Sequence, residues 1–248
     1  MEIVKRGRTD FVATLEVEHR VAFGITDNKK YPEQIKNLTK IAEETKRPVV
    51  LVIRKNTFEH YDGKNYFERE SLKLSRLDAI KLLKKAAEEK TLFISATGYP
   101  TRDSFNAQDS ADFYIVGSMG HAFSVAVGLS PHTKKKIIIL DGDGGALMHA
   151  GGMASLDPKT HKNIIYVVLD NNIYESTGGQ PTVSERVDFV KIAQGFGFEF
   201  STGISTQSEL QDAFNLALEK NESSFLHIKV KASEKAGKRV SDIYTCPE

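Results

Sequence analysis

Asp143 stands in the run Leu140-Asp141-Gly142-Asp143-Gly144-Gly145, just past an apolar stretch, and Asn171 stands in Leu169-Asp170-Asn171-Asn172-Ile173-Tyr174, just past a second one. A carboxylate, a carboxamide oxygen and a backbone carbonyl are hard oxygen ligands of the kind Mg²⁺ takes, usually beside phosphate oxygens and water. Glycines in the first run keep the turn free of side chains, so backbone N–H groups opening the next helix can approach an anion. The pattern predicts a metal-clamped diphosphate. Asp-Gly alone is a common turn dipeptide. What separates this copy from a plain turn is its setting, with residues 137–140 before it and residues 164–169 leading into Asn171.

The elements that must position these residues alternate along the chain. Short β-rich runs at 91–95, 113–116, 136–140, 164–169, 198–200 and 225–230 are separated by helical patterns. The expected fold class is therefore α/β, a doubly wound, mainly parallel six-stranded sheet with helices on both faces. Residues 75–90 place Leu77, Ile80, Leu83 and Ala87 on one helical face and open with Ser75 and Asp78 at capping-box spacing. Thr206 and Glu209 repeat that signature before Leu210, Ala213, Phe214, Ala217 and Leu218. Sheets of this class bind ligands beyond the C-terminal ends of their strands, where Asp143 and Asn171 fall.

Ahead of this series, residues 33–45 form a helical pattern (Ile35, Leu38, Ile41, Ala42) leading through Pro48 into a strand at 49–53. That is one αβ unit, too little for a core of its own, and residues 1–30 show no clean periodicity. The expected organisation is a partial domain over 1–57, a charged linker over 58–74 holding Asp62-Gly63, the main domain over 75–232 and a solvated tail over 233–248.

With 34 basic and 33 acidic side chains in 248 residues, the net charge of +1 gives no global field that would draw nucleic acid or an anionic membrane. No apolar run is long enough to span a bilayer and no charged-then-apolar leader opens the sequence, so the cytoplasm is expected. Cys246 is the single cysteine and has no partner for an internal disulfide. No Gly-x-Gly-x-x-Gly follows the first strand, which argues against a dinucleotide reader.

Three further stretches narrow the reading: Ala96-Thr97-Gly98-Tyr99-Pro100-Thr101-Arg102, Val116-Gly117-Ser118-Met119-Gly120-His121-Ala122 and Glu175-Ser176-Thr177-Gly178-Gly179-Gln180. Together with Gly142-Asp143-Gly144 and Asn171, they resemble the cofactor-binding half of the thiamin diphosphate-dependent phosphonopyruvate and sulfopyruvate decarboxylases, over nearly everything after about Ser75. Residues 33–57 resemble the end of the preceding pyrimidine-binding domain of those enzymes. The resemblance implies thiamin diphosphate and Mg²⁺ as cofactors, with Asp143, Asn171 and the Ile173 carbonyl as metal ligands and Gly142, Gly144 and Gly145 beside the diphosphate. It also implies that Gly117 offers its carbonyl to the cofactor's exocyclic amine and that Ser118 lies in the same loop. Met119 would wedge between the two cofactor rings, a task that suits its flexible, polarizable side chain, with Thr97, Gly98 and Tyr99 nearby. Without the resemblance, Met119 reads as packing at a helix start and residues 97–99 as a strand-end turn.

The implied reaction is decarboxylation of a three-carbon 2-keto acid bearing a phosphonate or sulfonate, in which the cofactor carries the electrons and the protein supplies position and electrostatics. Arg102 and His121 are the candidates for the anionic end of this small-molecule substrate, and His121 also for a proton relay. Their plain readings are an exposed residue after Pro100 and a satisfied histidine at a helix start. The loop 176–180 reads either as a cover over the site or as a surface connection.

In the family, a glutamate of the pyrimidine-binding domain bonds the cofactor's N1′, in a stretch followed by small residues. No such helix is visible, since Glu16 and Glu18 precede His19 and Arg20. The expectation is a pyrimidine-binding domain or subunit as partner within a homo- or hetero-oligomer, with a fragment of a longer enzyme and a degenerate paralogue left open. Alternatives are another thiamin diphosphate lyase of the acetolactate-forming type and a non-catalytic cofactor-binding or assembly subunit.

Overall fold

The structure, a computed structural model, describes residues 22–26, 31–53, 72–87, 91–108 and 112–231. Most of residues 1–30, residues 58–71 of the linker expected over 58–74, and the tail with Cys246 lie outside the described residues, while Leu74 at the end of that linker is buried in the core. The chain divides into two compact units, residues 1–64 and 65–248.

In the first unit, strands β1 (Ala22–Thr26) and β2 (Val49–Ile53) pair in parallel, from Ala22 opposite Val49 to Thr26 opposite Ile53, and helix α1 (Tyr31–Thr45) lies between them in sequence. The unit is thus βαβ rather than αβ. The sequence reading finds no strand before residue 30 because Ala-Phe-Gly-Ile-Thr has a glycine at its centre, which weakens a strand pattern. Of the apolar stripe on α1, Leu38 is buried, whereas Ile35 and Ile41 remain 49% and 37% exposed.

The second unit contains α2 (Arg76–Ala86), β3 (Thr91–Ser95), α3 (Tyr99–Ala107), β4 (Phe113–Tyr114), α4 (Ala122–Leu129), β5 (Lys136–Gly142) and α5 (Asp143–Met148). There follow β6 (Ile164–Asp170), the short antiparallel pair β7 (Ile173–Tyr174) and β8 (Gln180–Pro181), α6 (Phe189–Gly195), β9 (Phe200–Ile204), α7 (Gln207–Glu219) and β10 (Ser224–Lys229). Six strands form one sheet in the order β4-β3-β5-β6-β10-β9, parallel throughout. This is the α/β class expected from the sequence.

Strand periodicity divides the core in two. Ile138, Leu140, Ile165, Val167, Leu169, Leu226 and Ile228 point to the face covered by Ile80 and Leu83 of α2 and Leu210, Phe214 and Ala217 of α7. Ile137, Ile139, Ile164, Tyr166, Val168 and Phe225 point to the other, against Phe123 and Ala126 of α4 and Phe189 and Ala193 of α6. Burial on both faces is why β5 and β6 read as unbroken apolar runs.

Several boundaries differ from the sequence reading, and three of the differences have a visible cause. Helix α2 stops at Ala86, where the Ala87 N–H still bonds the Leu83 carbonyl. Strand β4 ends at Tyr114, because the chain turns away towards Ser118, whose φ is +49°. The strand expected at 198–200 lies at 200–204: the Phe198 N–H bonds the Ala193 carbonyl and Gly197 has φ +97°, so Phe198 closes α6 as a buried turn residue. Among the described residues, no helix is long and apolar enough to cross a membrane.

The path of the chain determines where a crevice opens. From β3 it runs outward to the edge strand β4 and then returns across β3 to form β5. The direction of winding reverses between β3 and β5, and a ligand crevice is expected at their C-terminal ends.

Candidate functional site

At the tip of β5, Asp141 and Asp143 are 1% and 2% exposed. The Asp141 carboxylate accepts the Gly142 N–H at 2.8 Å and the Tyr166 hydroxyl at 3.0 Å. Burial nevertheless pushes its pKa up to about 6, with the neighbouring Asp143 carboxylate adding to the rise. Asp143 accepts the Thr182 hydroxyl at 2.5 Å. Its pKa is also raised to about 6, chiefly by burial, with the Thr182 bond opposing and Asp170 reinforcing the shift. The glycines that follow have no room for a side chain. A Cβ on Gly144 would lie 2.3 Å from Tyr174 Cε1, and one on Gly145 would lie 2.3 Å from Asp141 Oδ1.

At the tip of β6, the turn is held from beneath. Asn172 adopts φ +66°, a conformation asparagine tolerates better than most residues, and its N–H bonds Asp170 Oδ1 at 3.0 Å. Asp170 also accepts the Ser184 hydroxyl at 2.9 Å and pairs with His227 Nε2 at 2.9 Å. Asn171 accepts the Ile173 N–H on Oδ1 at 3.2 Å and donates from Nδ2 to Glu175 Oε2 at 2.9 Å. Glu175 Oε2 also receives Nη1 of Arg76 at 2.6 Å, while Nε of the same guanidinium bonds Asp103 Oδ2 at 2.7 Å. Arg76 is 3% exposed and reaches this point from the first turn of α2. Burial raises the pKa of Asp103, against the pull of Arg76.

These two tips and the turn after β3 line a single cleft. Of the residues proposed from sequence, Thr97, Gly98, Tyr99, Met119, Gly142, Asp143, Gly144, Gly145, Asn171 and Ile173 lie on its wall. Arg102, Gly117, Ser118 and His121 do not. Arg102 lies over the ring of Tyr99, 5.0 Å from its centroid. Gly117 and Ser118 are exposed. His121 is exposed and stacks on His149 at 4.5 Å and 15°, with its Nδ1 3.1 Å from the Met119 carbonyl. Gly120 has φ +84°, and a Cβ there would come within 2.8 Å of His149 Cβ and 2.9 Å of the Gly145 carbonyl.

The cleft wall also carries Arg76, Asp141, Tyr174 and Glu175, none of which stood among the candidates. Arg76 left a signal: a cation in the first turn of a helix opposes the macrodipole and calls for an anionic partner. Asp141 left another, as a carboxylate at the end of an otherwise apolar strand. His149 and Thr182 carried none, because their partners Gly120 and Asp143 are distant in sequence.

The donor chemistry fits a hard cation. Asp143, Asn171 and Ile173 all line the cleft, and their carboxylate, amide and backbone oxygens are a mixture that suits Mg²⁺ better than a soft transition metal. Among the described residues, no group of three or more His, Cys, Asp or Glu is arranged to hold a metal ion. The glycine pair lets Tyr174 and Asp141 pack directly on the backbone beside these ligands, where any side chain would clash.

Residues 96–228 match the family described as thiamine pyrophosphate enzyme, C-terminal TPP binding domain. The chain is 30% identical over 164 residues to phosphonopyruvate decarboxylase of Streptomyces viridochromogenes, covering 66% of this chain and 41% of that protein. It is 35% identical over 159 residues to sulfopyruvate decarboxylase subunit beta of Methanothermobacter thermautotrophicus, covering 64% of this chain and 83% of that one. The match thus spans about two fifths of the first relative and most of the second. Benzoylformate decarboxylase from Polynucleobacter necessarius shares the fold, with a TM-score of 0.57 and 18% identity over 75% of this chain and 37% of that chain.

Proposed function

Because the chain belongs to the thiamine pyrophosphate enzymes, whose C-terminal TPP binding domain it carries, we propose that it is the diphosphate- and Mg²⁺-binding component of a 2-keto acid decarboxylase. Its substrate is a three-carbon keto acid bearing a phosphonate or sulfonate, and it works with a pyrimidine-binding domain or subunit. The observation that carries this reading is the convergence of Asp143, Asn171 and Ile173, from two neighbouring strand ends, on the cleft at the β3/β5 reversal. The names of the phosphonopyruvate and sulfopyruvate relatives support the substrate class, and the designation "subunit beta" supports a partner.

Asp143 Oδ1, the Asn171 amide oxygen and the Ile173 carbonyl would hold the metal, while Thr182 keeps the other Asp143 oxygen in place. Gly144 and Gly145 would lie beside the diphosphate, with Tyr174 and Met119 packed against Gly144. When bound, thiamin diphosphate supplies the electron sink that lets carbon dioxide leave. Met119 would hold the cofactor's folded shape, and Thr97, Gly98 and Tyr99 would form the wall opposite the metal ligands. Gly117 and Ser118, exposed beside Met119, would meet the pyrimidine ring at the junction with the partner. We assign the substrate's anionic end to Arg102, seated on Tyr99, and to His121, two residues from Met119, with His121 placed to return a proton.

The test is to combine the chain with a pyrimidine-binding partner and follow aldehyde release from phosphonopyruvate and sulfopyruvate in parallel. One of the two is expected to turn over, and Mg²⁺ with thiamin diphosphate is expected to raise Tm through mass action on the folded state. Asp143→Ala should abolish that rise. A competent mixture with no turnover of either acid would reject the decarboxylase assignment, and an undiminished Tm rise in Asp143→Ala would reject the metal site.

A further inference from the structure

A metal ligand that is an amide must present its oxygen, not its nitrogen, and in this chain a buried ion pair makes that choice. Asn171 Nδ2 donates to Glu175 Oε2 at 2.9 Å. A carboxylate accepts and cannot donate, so this contact fixes the amide's orientation and leaves Oδ1 on the other side of the group. The same Glu175 oxygen is gripped by Arg76 at 2.6 Å, and Arg76 is anchored in turn on Asp103 at 2.7 Å. The side chains of Arg76, Glu175 and Asp103 are 3%, 10% and 6% exposed, so the chain of contacts is protected from water and from screening. Arg76, Asn171 and Glu175 all line the cleft.

We propose that Glu175, braced by Arg76, is a positioning residue that holds Asn171 in its metal-binding orientation. The inference rests on the metal reading above and deepens it. Glu175 does not ligate the ion. It acts through Asn171, whose amide nitrogen it holds while Arg76 holds it in turn. Helix α2 thereby reaches the metal site through a side chain 99 residues away in sequence. Partners that orient a ligand in this way are worth about 10- to 100-fold in metal affinity.

The experiment combines the full chain with its pyrimidine-binding partner and excess thiamin diphosphate and follows the rise in Tm as Mg²⁺ is titrated, for wild type, Glu175→Gln and Glu175→Leu. Gln keeps an acceptor oxygen for Asn171 but loses the charge, so its Mg²⁺ midpoint should rise about fivefold, the difference between a charge-assisted and a neutral hydrogen bond. Leu removes the acceptor and should raise the midpoint about 10- to 100-fold. Both variants should regain the wild-type Tm increment once Mg²⁺ saturates, which a merely structural defect would not allow. If Glu175→Leu does not fold, Glu175→Gln decides alone, by a shifted or an unshifted midpoint. Wild-type binding with unshifted midpoints, or a deficit that persists at saturating Mg²⁺, overturns this inference and leaves the metal site standing. A wild-type chain that shows no Mg²⁺-dependent rise even with its partner present overturns both.

Discussion

The Asp143 carboxylate is held where burial disfavours its charge, and this has a direct consequence for stability. Its folded pKa is about 6 against an ordinary value of 3.8. Between these values the folded state binds the extra proton, so this group's contribution falls as pH rises through that window and stays lowered above it. Asp143→Asn keeps an oxygen acceptor for Thr182 and removes the charge. The ligand-free variant is therefore expected to exceed wild type at pH 8 by about 1–3 kcal/mol and to differ less at pH 4.5. Denaturant unfolding at the two pH values measures this, and equal stability at pH 8 would refute it. Asp143 and Asn171 were legible in the sequence because each stands at the end of an apolar strand, beside residues that announce a turn. The signal at Arg76, a cation in a helix's first turn, names no partner, because its contacts with Asp103 and Glu175 lie 27 and 99 residues away.

Helix α7 shows how a local signal can be read without the fold. Thr206 accepts the Glu209 N–H at 3.3 Å, and Glu209 Oε2 returns the bond to the Thr206 N–H at 3.1 Å. Thr206→Ala should cost about 1 kcal/mol, seen as a lower urea midpoint at unchanged m-value. Strands β5 and β6 were equally plain, since a two-sided core demands uninterrupted apolar side chains. Strand β9 was misplaced because Ser201-Thr202-Gly203 has the composition of a turn. Its pairing with β10, from Phe200 opposite Ser224 to Ile204 opposite Ile228, overrides that local preference. Strand β1 escaped notice for a related reason, with a glycine in its middle and its partner on the far side of α1.

At the scale of the molecule, the sheet of the larger unit divides its described apolar side chains into two cores, one on each face. Leu226 belongs to one and Phe123 to the other, at 0% and 2% exposure. Truncation to alanine should cost about 2–5 kcal/mol at Leu226 and about 3–5 kcal/mol at Phe123. With no shared partners across the sheet, the two losses should add to within about 0.5 kcal/mol in the double variant, measured by denaturant unfolding. A large deviation would mean that the faces communicate through the backbone. The close seating of Gly120 against Gly145 and His149 carries a different lesson for anyone wishing to redesign the cleft. The Met119 loop and the start of α5 are locked like two teeth of one gear, so neither can be slid aside to admit a bulkier substrate. Enlargement must come from trimming Met119 or Tyr174 themselves, and mutant libraries that vary Gly120 will be depleted of folded members.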